Sequence, residues 1–362
     1  MSKPKVIAFY LPQYHPTPHN NEWWGEGFTE WTNVAKAKKL FPGHYQPKIP
    51  ADLGFYDLRL PEVRQKQAEM AKEAGIEGFC YYHYWFGNGQ QELELPFNEV
   101  LKMKEPDFPF CLCWANESWF KKFWNKDGSV VDKKTLVEQE YPGMEDIRKH
   151  FFTLLPAFKD KRYMTQDGKP IFVIYRPLAC AGVSEMIQVW NSLARENGLK
   201  GVFFIGYTMD VEAEYHEIKR RGIDAVCSCR MRRHKKWSFL WALRKTISLI
   251  SHIPECYNYE NVYPTLIGKE EIEKDDVFPT LIPNWDHTPR SGANGYLFTN
   301  STPELFEEHV KDVFEKISHK PDDRQICFLK SWNEWGEGNY MEPDLKYGKG
   351  YICSLRRAFE AV

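Results

Sequence analysis

Lys72-Glu73-Ala74-Gly75-Ile76-Glu77-Gly78-Phe79 and Lys219-Arg220-Arg221-Gly222-Ile223-Asp224-Ala225 share one pattern. In each, a helical turn with basic residues stops at a glycine, which tolerates the left-handed backbone that closes a helix. An apolar run begins three residues later at Gly78 and two residues later at Asp224. A helix that hands over directly to a strand is the return half of a strand–helix–strand unit.

Outward from these two junctions, apolar runs of strand length recur at Lys5 to Leu11, Gly78 to Phe86, Phe110 to Ala115, Pro170 to Tyr175, Gly201 to Tyr207, Asp224 to Cys229, Thr280 to Trp285 and Gln325 to Trp332. Between them lie segments of helical period at Pro61 to Ala74, Met144 to Leu155, Val183 to Asn197, Val211 to Arg221 and Pro303 to Ile317. A closing helix is expected near Tyr351 to Ala361. Continuous apolar strands joined by helical crossovers describe a parallel sheet, and eight such units favour closure. The expected fold is therefore α/β: a single (β/α)8 TIM-type barrel over residues 1–362, with long loops at the C-terminal face of the strands and a basic insertion at about 230–275. An open doubly wound sheet is the alternative. The first run leads into Leu11-Pro12-Gln13-Tyr14-His15-Pro16 with no Gly-x-Gly-x-x-Gly, which removes the main support for a dinucleotide fold.

The net charge of -2 over 362 residues gives no bulk attraction for nucleic acid, and none is expected as a partner. Nine cysteines, mostly inside apolar runs such as Phe110-Cys111-Leu112-Cys113, are read as reduced core thiols. The apolar stretch Val6 to Leu11 is too short for a signal peptide or a membrane span, so the expected compartment is the cytoplasm. No His-Glu-x-x-His or Cys-x-x-Cys is present, and no metal or other cofactor is expected. Aromatic residues make up 15% of the chain, and many stand beside polar ones. Such rings stack on a ligand or fill a large core.

In a parallel barrel the residues that end each strand face the active-site mouth. The first two runs supply Tyr10, Gln13, Tyr14 and His15, then His83, Tyr84 and Trp85. The third supplies Trp114, Asn116 and Glu117, the fourth Tyr175 and Arg176, the fifth Tyr207. The last two give Asn284, Trp285 and Asp286, then Trp332, Asn333, Glu334 and Glu337. Rings, amides and acids suit a sugar, which has apolar C–H faces and hydroxyl edges. Breaking a glycosidic bond needs one carboxyl to protonate the leaving oxygen and a second to stabilise or generate the electrophile. Glu334 and Glu337, three residues apart across Gly336, meet that need if both face one cavity; otherwise they are two solvated loop acids. Glu117 is the rival acid, and Glu342 is expected to position ligand or brace the loop. Both histidines could bind sugar hydroxyls or serve the structure alone.

Trp24-Gly25-Glu26-Gly27-Phe28-Thr29-Glu30-Trp31-Thr32-Asn33-Val34 and Phe41-Pro42-Gly43-His44-Tyr45-Gln46-Pro47 resemble the WbsX-like proteins related to glycoside hydrolase family 99. His83-Tyr84-Trp85-Phe86, Trp114-Ala115-Asn116-Glu117, Asn284-Trp285-Asp286 and Trp332-Asn333-Glu334-Trp335-Gly336-Glu337 follow in the family's order, so the resemblance covers essentially the whole chain. It implies a (β/α)8 barrel and metal-independent, retaining endo-action on α-mannosides. It further implies that Glu334 deprotonates the sugar 2-hydroxyl to give a 1,2-anhydro sugar, while Glu337 is the general acid and base. Position 336 is Gly here where the hydrolases carry His. WbsX-like proteins are associated with O-antigen and capsule assembly and are often described as glycosyltransferases. An oligosaccharide or polysaccharide partner is implied by either description.

Arg230 to Pro254 holds seven Lys or Arg and no acid, interleaved with Trp237, Phe239, Leu240 and Trp241. A basic amphipathic helix fits, either docking at an anionic inner-membrane surface or covering the barrel. Three functions compete: a glycosidase-type enzyme on a bacterial surface polysaccharide, a transferase of lipopolysaccharide or capsule biosynthesis, and a non-catalytic glycan-binding barrel.

Overall fold

A computed structural model describes residues 3–124, 130–231 and 253–361. Eight parallel strands close into a barrel: β1 (Lys5–Tyr10), β2 (Gly78–Trp85), β3 (Phe110–Trp114), β4 (Lys169–Ile174), β5 (Phe203–Thr208), β6 (Ala225–Ser228), β7 (Val277–Leu281) and β8 (Ile326–Leu329). Each pairs with the next, and β8 returns to β1 in the register Lys5 to Ile326. The barrel helices are α1 (Pro61–Ala74), α2 (Leu95–Met103), α3 (Met144–Phe158), α4 (Val183–Glu196), α5 (Val211–Arg220), α6 (Lys269–Glu273), α7 (Pro303–Ile317) and α8 (Gly350–Glu360).

The glycine junctions work as expected. Gly75 takes φ +86 after α1 and Gly222 takes φ +88 after α5. A Cβ on Gly75 would also lie 2.7 Å from the Phe359 ring of α8, so only glycine lets the two helices approach. The outer layer buries Trp190 of α4 against Phe172 and Phe204, and its indole donates to Ile147 O of α3 at 3.0 Å. Burying such a ring contributes about 2–3 kcal/mol. Inside the barrel, Phe9 stacks on Tyr82 at 5.5 Å and on Phe328 at 5.2 Å and meets Tyr207 edge-on at 6.0 Å.

One strand begins earlier than its expected run. β7 starts at Val277 and contains Pro279, a residue rare inside sheets, so the sequence signal began only after it. Ile282 to Trp285, expected as strand, are instead the loop that carries Trp285 into the mouth. Trp119–Trp124 pairs antiparallel with Val130–Val137 as an arm after β3, where no element was expected.

Among the described residues no helix is long and apolar enough to cross a membrane. Most of the basic segment 230–254, with its proposed helix and membrane contact, lies outside the described residues. Its first member, Arg230, is not part of a solvated basic face. It is buried and ion-paired with Glu212, Glu270 and Glu271.

Candidate active site

After β8 the chain forms a tight antiparallel turn, Asn333–Glu334 against Asn339–Tyr340, with Trp335–Glu337 as one 3-10 turn between them. Asn333 ties this turn to the end of β1: its Oδ1 accepts from Leu11 N at 2.8 Å and its Nδ2 donates to Leu11 O at 3.0 Å. The Tyr14 hydroxyl donates to Asn333 O and accepts from Trp335 N. Trp335 stacks on Tyr340 at 3.7 Å, and its indole donates to Glu342 at 2.6 Å. The turn is therefore braced on every side, and the acids on it project toward the barrel axis.

Glu334 Oε2 accepts from Ser331 Oγ at 2.6 Å and from Lys330 Nζ at 3.3 Å. The same ammonium stands 4.0 Å from Glu337 Oε2. Glu337 Oε1 accepts from Arg290 at 2.6 Å, and Arg290 Nε donates to Glu30 at 2.7 Å. Burial alone would lower the Lys330 ammonium, but Glu334 together with Tyr82, Tyr207 and Tyr175 outweighs it and holds the group well above its ordinary value. Burial opposes the charge on Arg290 in the same way, and Glu30 and Glu337 reverse it.

Glu334 and Glu337 line one cavity of about 420 Å³ together with Tyr82, Tyr84, Glu117, Trp119, Tyr175, Trp285, His287 and Lys330. A second cavity of about 530 Å³ shares Glu334, Tyr84 and Trp119 with it and extends to Gln13, Trp24, Phe28, Glu30 and Arg290. A third, of about 410 Å³, meets the first at Tyr175 and contains Arg176 and Tyr207. The result is a trench across the barrel mouth, with the paired acids near its middle.

The remaining expected residues lie elsewhere, chiefly because strand side chains alternate between faces. Tyr10 bonds Gln67 of α1, and Trp332 packs on Phe79. His83 bonds His150 of α3 at 2.8 Å, and burial lowers His83 to about 3, which leaves it neutral. Trp85 stacks on His150 and donates to Asp146, and Trp114 donates to Trp85 O. These five face the helical layer. His15 bonds Pro12 O, while Asn116 ties Tyr141 to the Arg176 backbone. Tyr14, Asn333 and Glu342 brace the turn, and Asn284 and Asp286 line a separate cavity. Asp286 is held down to about 2: burial pushes it up, but His44, Lys48 and Thr288 outweigh that.

Lys330, Tyr82, Glu30, Arg290, Trp119 and His287 escaped the sequence reading. Tyr82 and Lys330 could have been found from period two, since they share a face with Tyr84 and Phe328 respectively. Glu30 and Arg290, 260 positions apart, leave no local signal. Among the described residues no three His, Cys, Asp or Glu gather as a metal would require.

Gly336 is favoured here for steric reasons. A Cβ at this position would fall on Glu30 Oε1 and lie 2.7 Å from its Cδ and 3.1 Å from Arg290 Nε. The Glu30–Arg290 pair occupies the space a side chain would take. Gly336→Ala is expected to destabilise the protein by about 1–3 kcal/mol in chemical denaturation. Adding Glu30→Ala should recover part of that loss, because the two sites are in contact. Strict additivity would remove the steric explanation.

Glu342 is fully enclosed, and burial pushes it up to about 7 from 4.5, despite donors from Trp335, Gln67 and Tyr56. Between those values the unfolded chain releases a proton that the folded protein keeps. Stability should therefore fall as pH rises from about 4.5 to 7, by about 3 kcal/mol from this group. Denaturation of wild type and Glu342→Gln across that window checks it: the variant should show a flatter profile, and an equal slope would count against the buried acid.

Comparisons place the chain among known proteins. The family described as Glycosyltransferase WbsX matches residues 6–355. The chain is 31% identical over 355 residues to the "Uncharacterized protein WxcX" of Xanthomonas campestris pv. campestris strain B100. A second strain, ATCC 33913, carries a WxcX with the same identity. These alignments cover 98% of this chain and 49% of WxcX, so the chain spans about half the length of the curated relatives it matches. Among solved structures, the GH99 endo-alpha-mannosidase of Bacteroides thetaiotaomicron superposes with a TM-score of 0.57 at 17% identity, covering 98% of this chain and 95% of that one. A glycoside hydrolase-like protein gives 0.59 at 16%, covering 99% and 94%. At these identities the shared property is the barrel fold. By the match over nearly its whole length, the chain belongs to the WbsX family.

Proposed function

We propose that this chain is a carbohydrate-active enzyme that breaks, and passes on, a glycosidic bond of a bacterial surface polysaccharide, of mannan-like or O-antigen and capsule type. The observation that carries this reading is the convergence of Glu334 and Glu337 on one aromatic-walled cavity with Lys330 reaching both.

The chemistry is the one the resemblance to glycoside hydrolase family 99 implies, and the placing of the two acids suits it. Glu334 takes the proton of the sugar 2-hydroxyl as that oxygen attacks the anomeric carbon. The glycosidic C–O bond breaks, and Glu337 gives its proton to the leaving oxygen. A 1,2-anhydro sugar results. Water or an acceptor hydroxyl then opens it, Glu337 takes that nucleophile's proton, and Glu334 returns the first one to O2. Two inversions at one carbon give net retention. Sugar hydroxyls are poor acids, and the Lys330 ammonium beside Glu334 stabilises the charge that develops on O2. Lys330→Met is expected to lower kcat by about 100-fold or more with little change in KM. An unchanged kcat would remove Lys330 from the chemistry.

The family description favours transfer as the second reading, and the same acids serve an acceptor hydroxyl in place of water. Incubation with a panel of mannans and O-antigen or capsule glycans, with and without nucleotide sugars, separates the two. Oligosaccharide release without a nucleotide sugar supports the glycosidase, chain growth that depends on one supports the transferase, and no change in any glycan would reject both.

A further inference from the structure

The loop Asn284-Trp285-Asp286 divides two cavities. Trp285 faces the Glu334–Glu337 cavity, whereas Asn284 and Asp286 line a separate one of about 400 Å³, within the usual size for small-ligand sites. Its walls come from four distant segments: residues 41–48, the Asn284 loop, residues 297–302 and residues 346–347.

Two buried polar groups there lack what burial normally demands. Lys48 is 3% exposed, yet its ammonium makes one hydrogen bond, to Gly338 O at 3.2 Å, beside a contact with the Tyr340 ring at 5.4 Å, and no carboxylate lies within ion-pair distance among the described residues. The nearby acids are already satisfied. Asp286 accepts from His44, Gln46 and Thr288, and Asp344 from Tyr340 and the amides of Lys346 and Tyr347. Ser301, 8% exposed, has a hydroxyl with no partner among the described residues. A buried ammonium with spare donors and a buried hydroxyl without a mate are costly unless a ligand completes them. At the rim, Lys346 sits over the rings of both Tyr45 and Tyr347, at 4.8 and 4.6 Å.

We propose that this cavity is a second saccharide site, outside the trench that holds the paired acids, and that it takes a sugar unit bearing a carboxylate or a phosphate. Lys48 binds the anionic group from within and Lys346 from the rim. Ser301 and Asn284 take hydroxyls, and Tyr45 and Tyr347 hold Lys346 at the rim. The site goes beyond the proposed reaction: it gives an acidic polysaccharide a second hold on the enzyme and does not depend on catalysis.

Calorimetric titration of the intact chain with glucuronate, glucose 6-phosphate and glucose tests it. At least one acidic sugar should bind about tenfold or more tightly than glucose, a difference of one charge-assisted hydrogen bond. Preference for glucuronate marks a uronic acid unit and preference for glucose 6-phosphate a phosphorylated one. Lys48→Met should lose that binding, and Lys346→Ala, at the exposed rim where folding is not at stake, should weaken it. Glu337→Gln should leave it unchanged, since that residue lines the other cavity. Equal binding of glucose and the acids, no binding by any of them, or acid binding that survives both lysine changes would overturn the site. Because the titration needs no turnover, its failure leaves the Glu334–Glu337 reading standing, and the converse holds.

Discussion

Glu334→Gln should lower kcat by about 1,000-fold or more on any substrate, with KM little changed, because the amide keeps the shape of the side chain but cannot take the 2-hydroxyl proton. The loss should be nearly the same for a natural glycoside and for an activated aryl glycoside of the same sugar. Deprotonation at O2 precedes or accompanies departure whatever the leaving group is. The amide would still accept from Ser331 and Lys330, so the fold around it has no reason to change. A 2-deoxy substrate should be inert with wild type for the same reason. Steady-state kinetics on the paired substrates is the check, and turnover of the 2-deoxy sugar would exclude Glu334 as the base.

Glu337→Gln should behave differently. On the natural glycoside the loss should again be about 1,000-fold, since an alkoxide leaves poorly without a proton. On the aryl glycoside it should shrink to about tenfold, because that group departs without help. The side chain is anchored by Arg290 at 2.6 Å, so an amide that turns its NH2 toward the guanidinium would also disturb Glu30. Thermal melting alongside the kinetics separates that disturbance from lost chemistry. Equal losses on both substrates would take the acid role from Glu337.

The barrel and the position of the acid pair were legible because both depend on local signals. Glycines after basic helix ends marked the junctions at Gly75 and Gly222, and both take the left-handed backbone the pattern requires. The limits of β7 were hidden by Pro279, which sheet neighbours tolerate here against the usual preference. Within the site, reading consecutive residues at strand ends mixed two faces. His83, Trp85 and Trp114 turn to the helices, while Tyr82, Tyr84 and Tyr175 turn to the cavity, so an alternating reading would have separated them. Lys330 lies inside the run Gln325 to Trp332 and was not singled out, although its inward parity with Phe328 puts it between the two acids. No local pattern joins Glu30 to Arg290, and their pairing becomes visible only when the β1 and β7 loops meet over Gly336.

The most direct measurement is product analysis of one surface glycan incubated in parallel with wild type, Glu334→Gln and Glu337→Gln. Product formed by the wild type, whether released oligosaccharide or extended chain, should be absent or reduced about 1,000-fold with either variant. Product formed at the wild-type rate by either variant would contradict a reaction carried by this pair of carboxylates.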